Sequence, residues 1–188
     1  MRNTIIYLLG FPGTGKYTVA KALAKKEDFR LLDNHLVNNV LFSLIHVDSM
    51  TKLSDRVWDN IEKIWQIVCD TLTHISPPDY NFVLTNALFE GHADDLVWFD
   101  RVVKMAQDRQ ALFVPVRLIC AIEEHGKRIV APERSAKFKV IDPSLPLRFA
   151  QNDEVLRPSH PNTLTLDITQ FSPEEAADKI LAHVALCR

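Results

Sequence analysis

The sequence predicts an α/β fold in which five parallel strands form one doubly wound sheet with helices on both faces. Three observations predict it. Short apolar runs alternate along the chain with segments whose apolar residues recur at helical spacing. A glycine cluster separates the first apolar run from the first helical segment, where a strand-to-helix turn belongs. With 188 residues, 47% of them apolar and 24% charged, the chain suits one domain whose core needs no disulfide or metal staple.

Each element has a local reason. Thr4–Leu9 is a short apolar run ending at Gly10, the pattern of a strand buried on both faces. Val19, Ala20, Leu23 and Ala24 then recur as one helix face. Phe29–Leu32 reads as the second strand, closing at Asp33-Asn34-His35. From His35 to Ser76 the pattern is helical, carried first by Leu36, Val40, Leu41 and Leu44 and then by Val57, Ile61, Ile64, Val68 and Leu72. Ser76-Pro77-Pro78-Asp79 breaks it, and Tyr80–Leu84 is the third strand. Leu96, Phe99, Val103 and Met105 mark another helix, and Ala111–Cys120 is a long apolar strand. Glu123–Val130 is helical, Ala131–Asp142 is polar and basic without a period, and Thr163–Ile168 is the last strand. The final helix opens with a capping box, Ser172 as N-cap, Pro173 at N1 and Glu175 at N3, and buries Ile180, Leu181 and Val184. There is no internal repeat, linker or low-complexity tract, so residues 1–188 read as one domain.

Composition excludes several classes. Lys and Arg number 22 against 24 Asp and Glu, so no global charge argues for a nucleic-acid or membrane surface. Cys69, Cys120 and Cys187 are odd in number and far apart, giving neither a disulfide framework nor a metal spacing, and reduced thiols point to the cytoplasm. No apolar run approaches the ~18 residues of a membrane span. The N-terminus imitates an export signal through Arg2, Ile5–Leu9 and Ala20-Lys21-Ala22, but Gly13-Thr14-Gly15-Lys16 interrupts the apolar stretch such a signal needs, so export is rejected.

The chemistry starts at Gly10-Phe11-Pro12-Gly13-Thr14-Gly15-Lys16-Tyr17-Thr18. Three of the five glycines in the chain, Gly10, Gly13 and Gly15, fall within this stretch. G-x-x-x-x-G-K between a strand and a helix is the context of a phosphate-binding loop. Glycines let successive N–H groups converge on one point, and the following helix adds its unpaired amides and positive dipole end. Lys16 supplies a cation for the β- and γ-phosphates. The alternative is an ordinary glycine turn. Tyr17 stands where the usual motif places a Mg²⁺-binding Ser or Thr, and Thr18 follows one residue later.

This Lys-x-Thr order resembles the adenylate-kinase type of loop, and the plan of the whole chain is similar to the P-loop small-molecule and nucleotide kinases, among them shikimate kinase, gluconate kinase and chloramphenicol phosphotransferase. The resemblance is specific at residues 10–18 and one of organisation elsewhere. It implies a three-layer P-loop NTPase fold, ATP and Mg²⁺ as partners of the loop, an acceptor-binding helical region at about 34–76 and a lid at about 126–142. Within it, Gly10, Gly13, Thr14, Gly15, Lys16, Tyr17 and Thr18 hold the nucleotide, with Thr18 on phosphate or on Mg²⁺ through water.

Asp33, at the end of the second strand, stands where the resemblance puts a carboxylate that orients the acceptor hydroxyl or holds a Mg²⁺ water; the competing reading is a helix N-cap. His35 is an acceptor-binding candidate or a structural histidine of the next helix. Asn86 replaces the acidic residue of a usual Walker B strand and is either an acceptor or Mg²⁺-water contact or a turn residue. Lys127, Arg128, Arg134, Lys137 and Lys139 form a basic run opposed only by Glu133, read as a lid over ATP or as a solvated charge run. By resemblance, Arg128 stacks on adenine and Arg134 neutralises phosphate charge, roles suited to planar guanidinium. Gln170-Phe171-Ser172-Pro173 sits where related kinases wall the adenine, although the capping box already explains Ser172 and Pro173. Trp58 and Trp65 share a helix face and read as core before acceptor pocket, while Arg56 and Arg148 are candidates for an acidic acceptor.

The function expected is an ATP-dependent phosphotransferase that moves the γ-phosphate to a hydroxyl or phosphate of a small metabolite, with Lys16, Asp33 and Arg134 at the chemistry. A nucleotide-binding ATPase or sensor module without such an acceptor is the alternative. No guanine-reading Asn-Lys-x-Asp sequence is present, and no strand ends in Asp-Glu.

Overall fold

The computed structural model describes residues 1–47, 51–132, 134 and 139–187. Strands β1 (Thr4–Leu9), β2 (Phe29–Asp33), β3 (Asn81–Asn86), β4 (Leu112–Ile119) and β5 (Leu164–Asp167) form one parallel sheet in the order β2-β3-β1-β4-β5. Helices α1 (Lys16–Lys26), α2 (Asn34–Phe42), α3 (Asp55–Asp70), α4 (Ala93–Asp108), α5 (Ile122–Ile129), α6 (Leu145–Asn152) and α7 (Pro173–Leu186) are the α-helices among the described residues. This is the doubly wound sheet expected. The order reverses direction at β1, and the crevice there lies where such sheets bind ligands.

Alternation along β1 divides the core. Ile6 and Leu8 pack with Val19, Ala20 and Leu23 of α1 and with Ala176, Ala177, Ile180 and Val184 of α7. Ile5, Tyr7 and Leu9 face the other way, against Phe99, Val102, Met105 and Ala106 of α4. Both faces are therefore covered, which is why β1 reads as a continuous apolar run. Pro115 is tolerated in β4 because β5 begins pairing only at Val116, so the missing N–H falls where β4 has one neighbour.

The helical stretch expected from His35 to Ser76 is broken. α2 ends at Phe42 and α3 starts at Asp55, and a single π-turn, Thr71–Ile75, closes α3. Val37 and Phe42 of α2 pack on Ile61 and Trp65 of α3 to make a small third core. Buried Arg109 ties down the end of this unit, donating to the carbonyls of Leu72, Ser76 and Pro77 that have no helical partner. The capping box of α7 is formed in full. α6 escaped the sequence reading because it is short and its apolar side is used locally. Phe149 of α6 stacks on Phe11 at 4.6 Å and lies 5.7 Å from Phe89. No helix of the described residues is long and apolar enough to cross a membrane, and the three cysteines are free.

Candidate active site

The turn between β1 and α1 is built from backbone constraints. Gly13 and Gly15 have φ of 98° and 109°, a region that side chains with Cβ rarely enter. A Cβ on Gly13 would also meet Ile129 at 2.9 Å and His125 Nε2 at 3.0 Å. Gly10 is required for space, since its Cβ would lie 2.8 Å from Thr14 Oγ1. Thr14 donates to the Phe11 carbonyl from both its amide (3.2 Å) and its hydroxyl (3.0 Å). Gly10 and Thr14 thus shape the loop from within, behind the residues that line the cavity beside it. Pro12, Gly13, Gly15, Lys16, Tyr17 and Thr18 line it. Thr18 Oγ1 donates to the Gly15 carbonyl at 2.7 Å, and Thr18 lines the cavity.

That cavity has a volume of about 730 Å³ and runs from the loop to the helical unit of α2 and α3. At the loop end, Lys16 Nζ donates to the carbonyls of Gly10 (2.6 Å) and Phe11 (2.9 Å). Burial pulls the Lys16 ammonium down to about 7, with Asp33 opposing the shift and Lys139 and Arg134 adding to it. Lys16, Arg128, Arg134 and Lys139 all line the cavity, and Asp33 is the carboxylate among its described lining residues. This excess of positive charge suits a polyphosphate.

Asp33 is the N-cap that one of its two sequence readings describes, and it also lines the cavity. Its Oδ1 accepts the His35 amide at 2.9 Å as the N-cap of α2. Its Oδ2 accepts Lys139 Nζ at 2.8 Å. Burial would raise the Asp33 carboxyl, but the hydrogen bond and charge of Lys139, with the His35 amide, outweigh it and hold the group below the usual carboxylate range. His35 lines the cavity, with Nδ1 3.4 Å from Asn39 Oδ1. Burial first and the Lys139 charge second push its imidazole down to about 4.

The basic run divides. Lys127 and Arg128 belong to α5 and both pair with Glu124, and Lys127 points to solvent, away from the cavity. Arg128 is a clamp: its guanidinium donates to the carbonyl of Thr14 at 3.1 Å and of Ile168 at 3.0 Å, joining the glycine loop to the end of β5. Arg134 donates twice to the Val140 carbonyl, at 3.1 and 2.9 Å, and lines the cavity. Lys139 packs 4.5 Å above the Tyr17 ring. Lys137 and Glu133 lie outside the described residues. Beyond β5, Phe171 and Pro173 line the cavity, whereas Ser172 is used as a cap and Gln170 is turned elsewhere.

Two groups of acceptor-side candidates are divided by the structure. Asn86 does not line the cavity, but Thr85 and Ala87 do, because side chains alternate at the end of β3. Thr85 is buried and sits in register beside Asp33. Trp58 and Trp65 do not share one environment: Trp65 is core, edge-on to Trp98 at 5.2 Å, whereas Trp58 lines the cavity edge-on to Phe42 at 6.1 Å. The helix face that both occupy reaches past the edge of the small core. Arg56 and Arg148 are exposed outside the cavity.

The sequence reading also missed His125. It is buried, its Nε2–H donates to the Pro12 carbonyl at 2.7 Å, and its ring stacks on Phe11. It braces the loop from α5, more than a hundred residues away, and a lone histidine carries no local signal for such a role. Among the described residues no group of three or more His, Cys, Asp or Glu side chains comes together. Asp33 and Thr18 fit a Mg²⁺ that takes most of its ligands from phosphate and water, and the glycine cradle with its cations fits a nucleotide triphosphate tail.

No protein-family model and no curated protein matches the chain in sequence. Solved structures do match in fold. A gluconokinase from Sinorhizobium meliloti superposes with a TM-score of 0.62 at 15% identity, covering 98% of this chain and 93% of that one. A sugar kinase from Janibacter sp. gives 0.63 at 15% identity, with 97% and 95% covered. Shikimate kinase from Aquifex aeolicus gives 0.53 at 14% identity, with 97% and 96% covered. The fold is that of the P-loop small-molecule kinases, over the whole chain.

Proposed function

We propose that this protein is a small-molecule kinase, transferring the γ-phosphoryl group of ATP to a hydroxyl of a small acceptor. The observation that carries this reading is the single cavity in which Lys16, Arg134, Lys139 and Asp33 meet at the glycine loop and which continues between α2 and α3. An ATPase needs only the part of such a cavity beside the loop, and its continuation to α2 and α3 supports a separate acceptor.

Phosphoryl transfer asks mainly for positioning and charge neutralisation. In this reading the loop amides and Lys16 hold the β- and γ-phosphates, Arg134 and Lys139 neutralise the transferring group, and Arg128 with Phe171 walls the base. Asp33 and Thr18 would hold Mg²⁺ through water, and the ion supplies further neutralisation of phosphate charge. Asp33 orients the acceptor hydroxyl. With its carboxyl held low, it is poorly suited to strip the proton before attack and well suited to accept it as the new bond closes. The acceptor oxygen forms a bond to the γ-phosphorus, the bond to the β–γ bridging oxygen breaks, and ADP leaves with that electron pair.

ADP release measured with and without a panel of hydroxyl compounds tests the reading. Slow release alone and strong stimulation by one acceptor, both lost by at least about a hundredfold in Lys16→Ala, is the expected result. Turnover that survives Lys16→Ala in a folded variant excludes it.

A further inference from the structure

Resting on the kinase reading, the walls of the acceptor half restrict what it takes. Phe42, Val47, Leu53 and Trp58 form an apolar wall facing the polar edge made by Asn34 and Asn38. Trp58 is the informative residue. It is 47% exposed although seven positions away Trp65 is only 4% exposed, and it lines the cavity. A tryptophan half-exposed in a concave site offers a ring face at the cost of keeping apolar surface in water, a cost removed when a ligand covers it. Phe42, buried and perpendicular to Trp58 at 6.1 Å, holds that ring in place.

Charge points the same way. The cations of the cavity gather at the glycine loop, where Lys139 is committed to Asp33. Among the described residues of the far wall the cation is Lys52, whose ammonium faces Asp55 at 3.7 Å and is largely in solvent. A carboxylate or phosphate seated against Phe42, Leu53 and Trp58 would lose hydration with only the solvated, Asp55-facing Lys52 on that wall, which is unfavourable. The Asn34 amide and the Asn38 amide nitrogen instead suit neutral hydroxyls, while Asn38 Oδ1 already accepts the Trp65 indole N–H at 3.4 Å.

We infer that the acceptor is an uncharged polyhydroxyl compound bearing an aromatic or aliphatic ring face, which packs on Trp58 while one hydroxyl reaches Asp33. Sugar acids, hydroxy acids and nucleoside monophosphates are disfavoured by the same wall.

The test uses the full chain with ATP and Mg²⁺ and a set of matched compounds: phenyl β-glucoside against phenyl β-glucuronide, and glucose against glucuronate, within a wider library sorted by the same two properties. ADP release and the mass of the phosphorylated product are read together. Expected is product from uncharged, ring-bearing compounds with kcat/KM at least about tenfold above their carboxylate twins. Trp58→Leu should raise KM for them by about tenfold, more than it lowers kcat, and Trp58→Phe should recover most of the loss. Anionic twins that serve equally well, or a KM indifferent to Trp58→Leu, overturn the acceptor class and leave the kinase reading standing. Lys16-dependent ATP hydrolysis that no compound of either kind stimulates overturns the kinase reading itself, and this inference with it.

Discussion

Lys139 Nζ lies 2.8 Å from Asp33 Oδ2, and the two side chains are 12% and 4% exposed. The pair joins the segment after α5 to the C-terminal end of β2, across 106 residues of sequence. It also couples the capping of α2 to the charge balance at the phosphate end of the cavity, because Asp33 serves both through its two oxygens.

Breaking one side of this pair leaves the other as a buried, uncompensated charge. Lys139→Met should therefore lower stability by roughly 3 kcal/mol and lift the Asp33 carboxyl toward the ordinary range. Asp33→Asn should cost less, because an amide oxygen still accepts the His35 N–H, yet turnover should fall by about 10²–10⁴ with nucleotide affinity little changed. Denaturant midpoints and nucleotide titrations on both variants check this. Full turnover in Asp33→Asn, whatever the change in stability, would reduce the residue to a structural role.

Gly13→Ala and Gly126→Ala should move in opposite directions. Gly13 combines a φ of 98° with a Cβ position 2.9 Å from Ile129, so alanine there should destabilise by about 1–3 kcal/mol and weaken nucleotide binding. Gly126 lies within α5 with open space around its Cβ, and alanine should stabilise by about 0.5–1 kcal/mol. Thermal unfolding of the two single variants is the measurement.

His125 should make the protein acid-sensitive. Burial lowers its imidazole pKa, the Pro12 hydrogen bond opposes the shift, and Lys16, Arg134 and Arg128 add to it. A folded value below the unfolded one of about 6.5 means the unfolded chain binds more protons as pH falls. The stability His125 contributes is thus complete above that value and is lost on going lower; His35 and His160 are shifted in the same direction and add to the slope. The unfolding temperature should drop between pH 7.5 and pH ~5. His125→Phe keeps a ring against Phe11, so it should be about 1 kcal/mol less stable at the higher pH and show a shallower drop.

Arg134→Ala should separate chemistry from binding. If its guanidinium meets charge that builds up during transfer, turnover falls by about 10²–10³ while ATP affinity changes little. A proportional loss of affinity and turnover would make it a ground-state phosphate contact.

Much of this molecule follows from local rules. Strand periodicity is read directly because burial on both faces leaves continuous apolar runs. The glycine loop is equally legible, since only glycine tolerates the φ values found at residues 13 and 15. The Ser172–Glu175 cap is closed between residues three apart. Each of these depends on atoms near in sequence, so composition and spacing determined them. What tertiary structure alone decided are contacts between distant segments. Lys139 is one cation in a basic run until the chain brings it to Asp33, and His125 is a lone histidine until α5 lays it against Pro12. Asn86 and Thr85 exchange places because the face of β3 that meets the cavity is set by its pairing with β1 and β2. Trp58 and Trp65, seven apart on one helix, part company because the core of α2 and α3 ends between them. Sequence spacing assigns a side chain to a face of its own element; only packing of that element against others determines whether the face meets core, cavity or solvent.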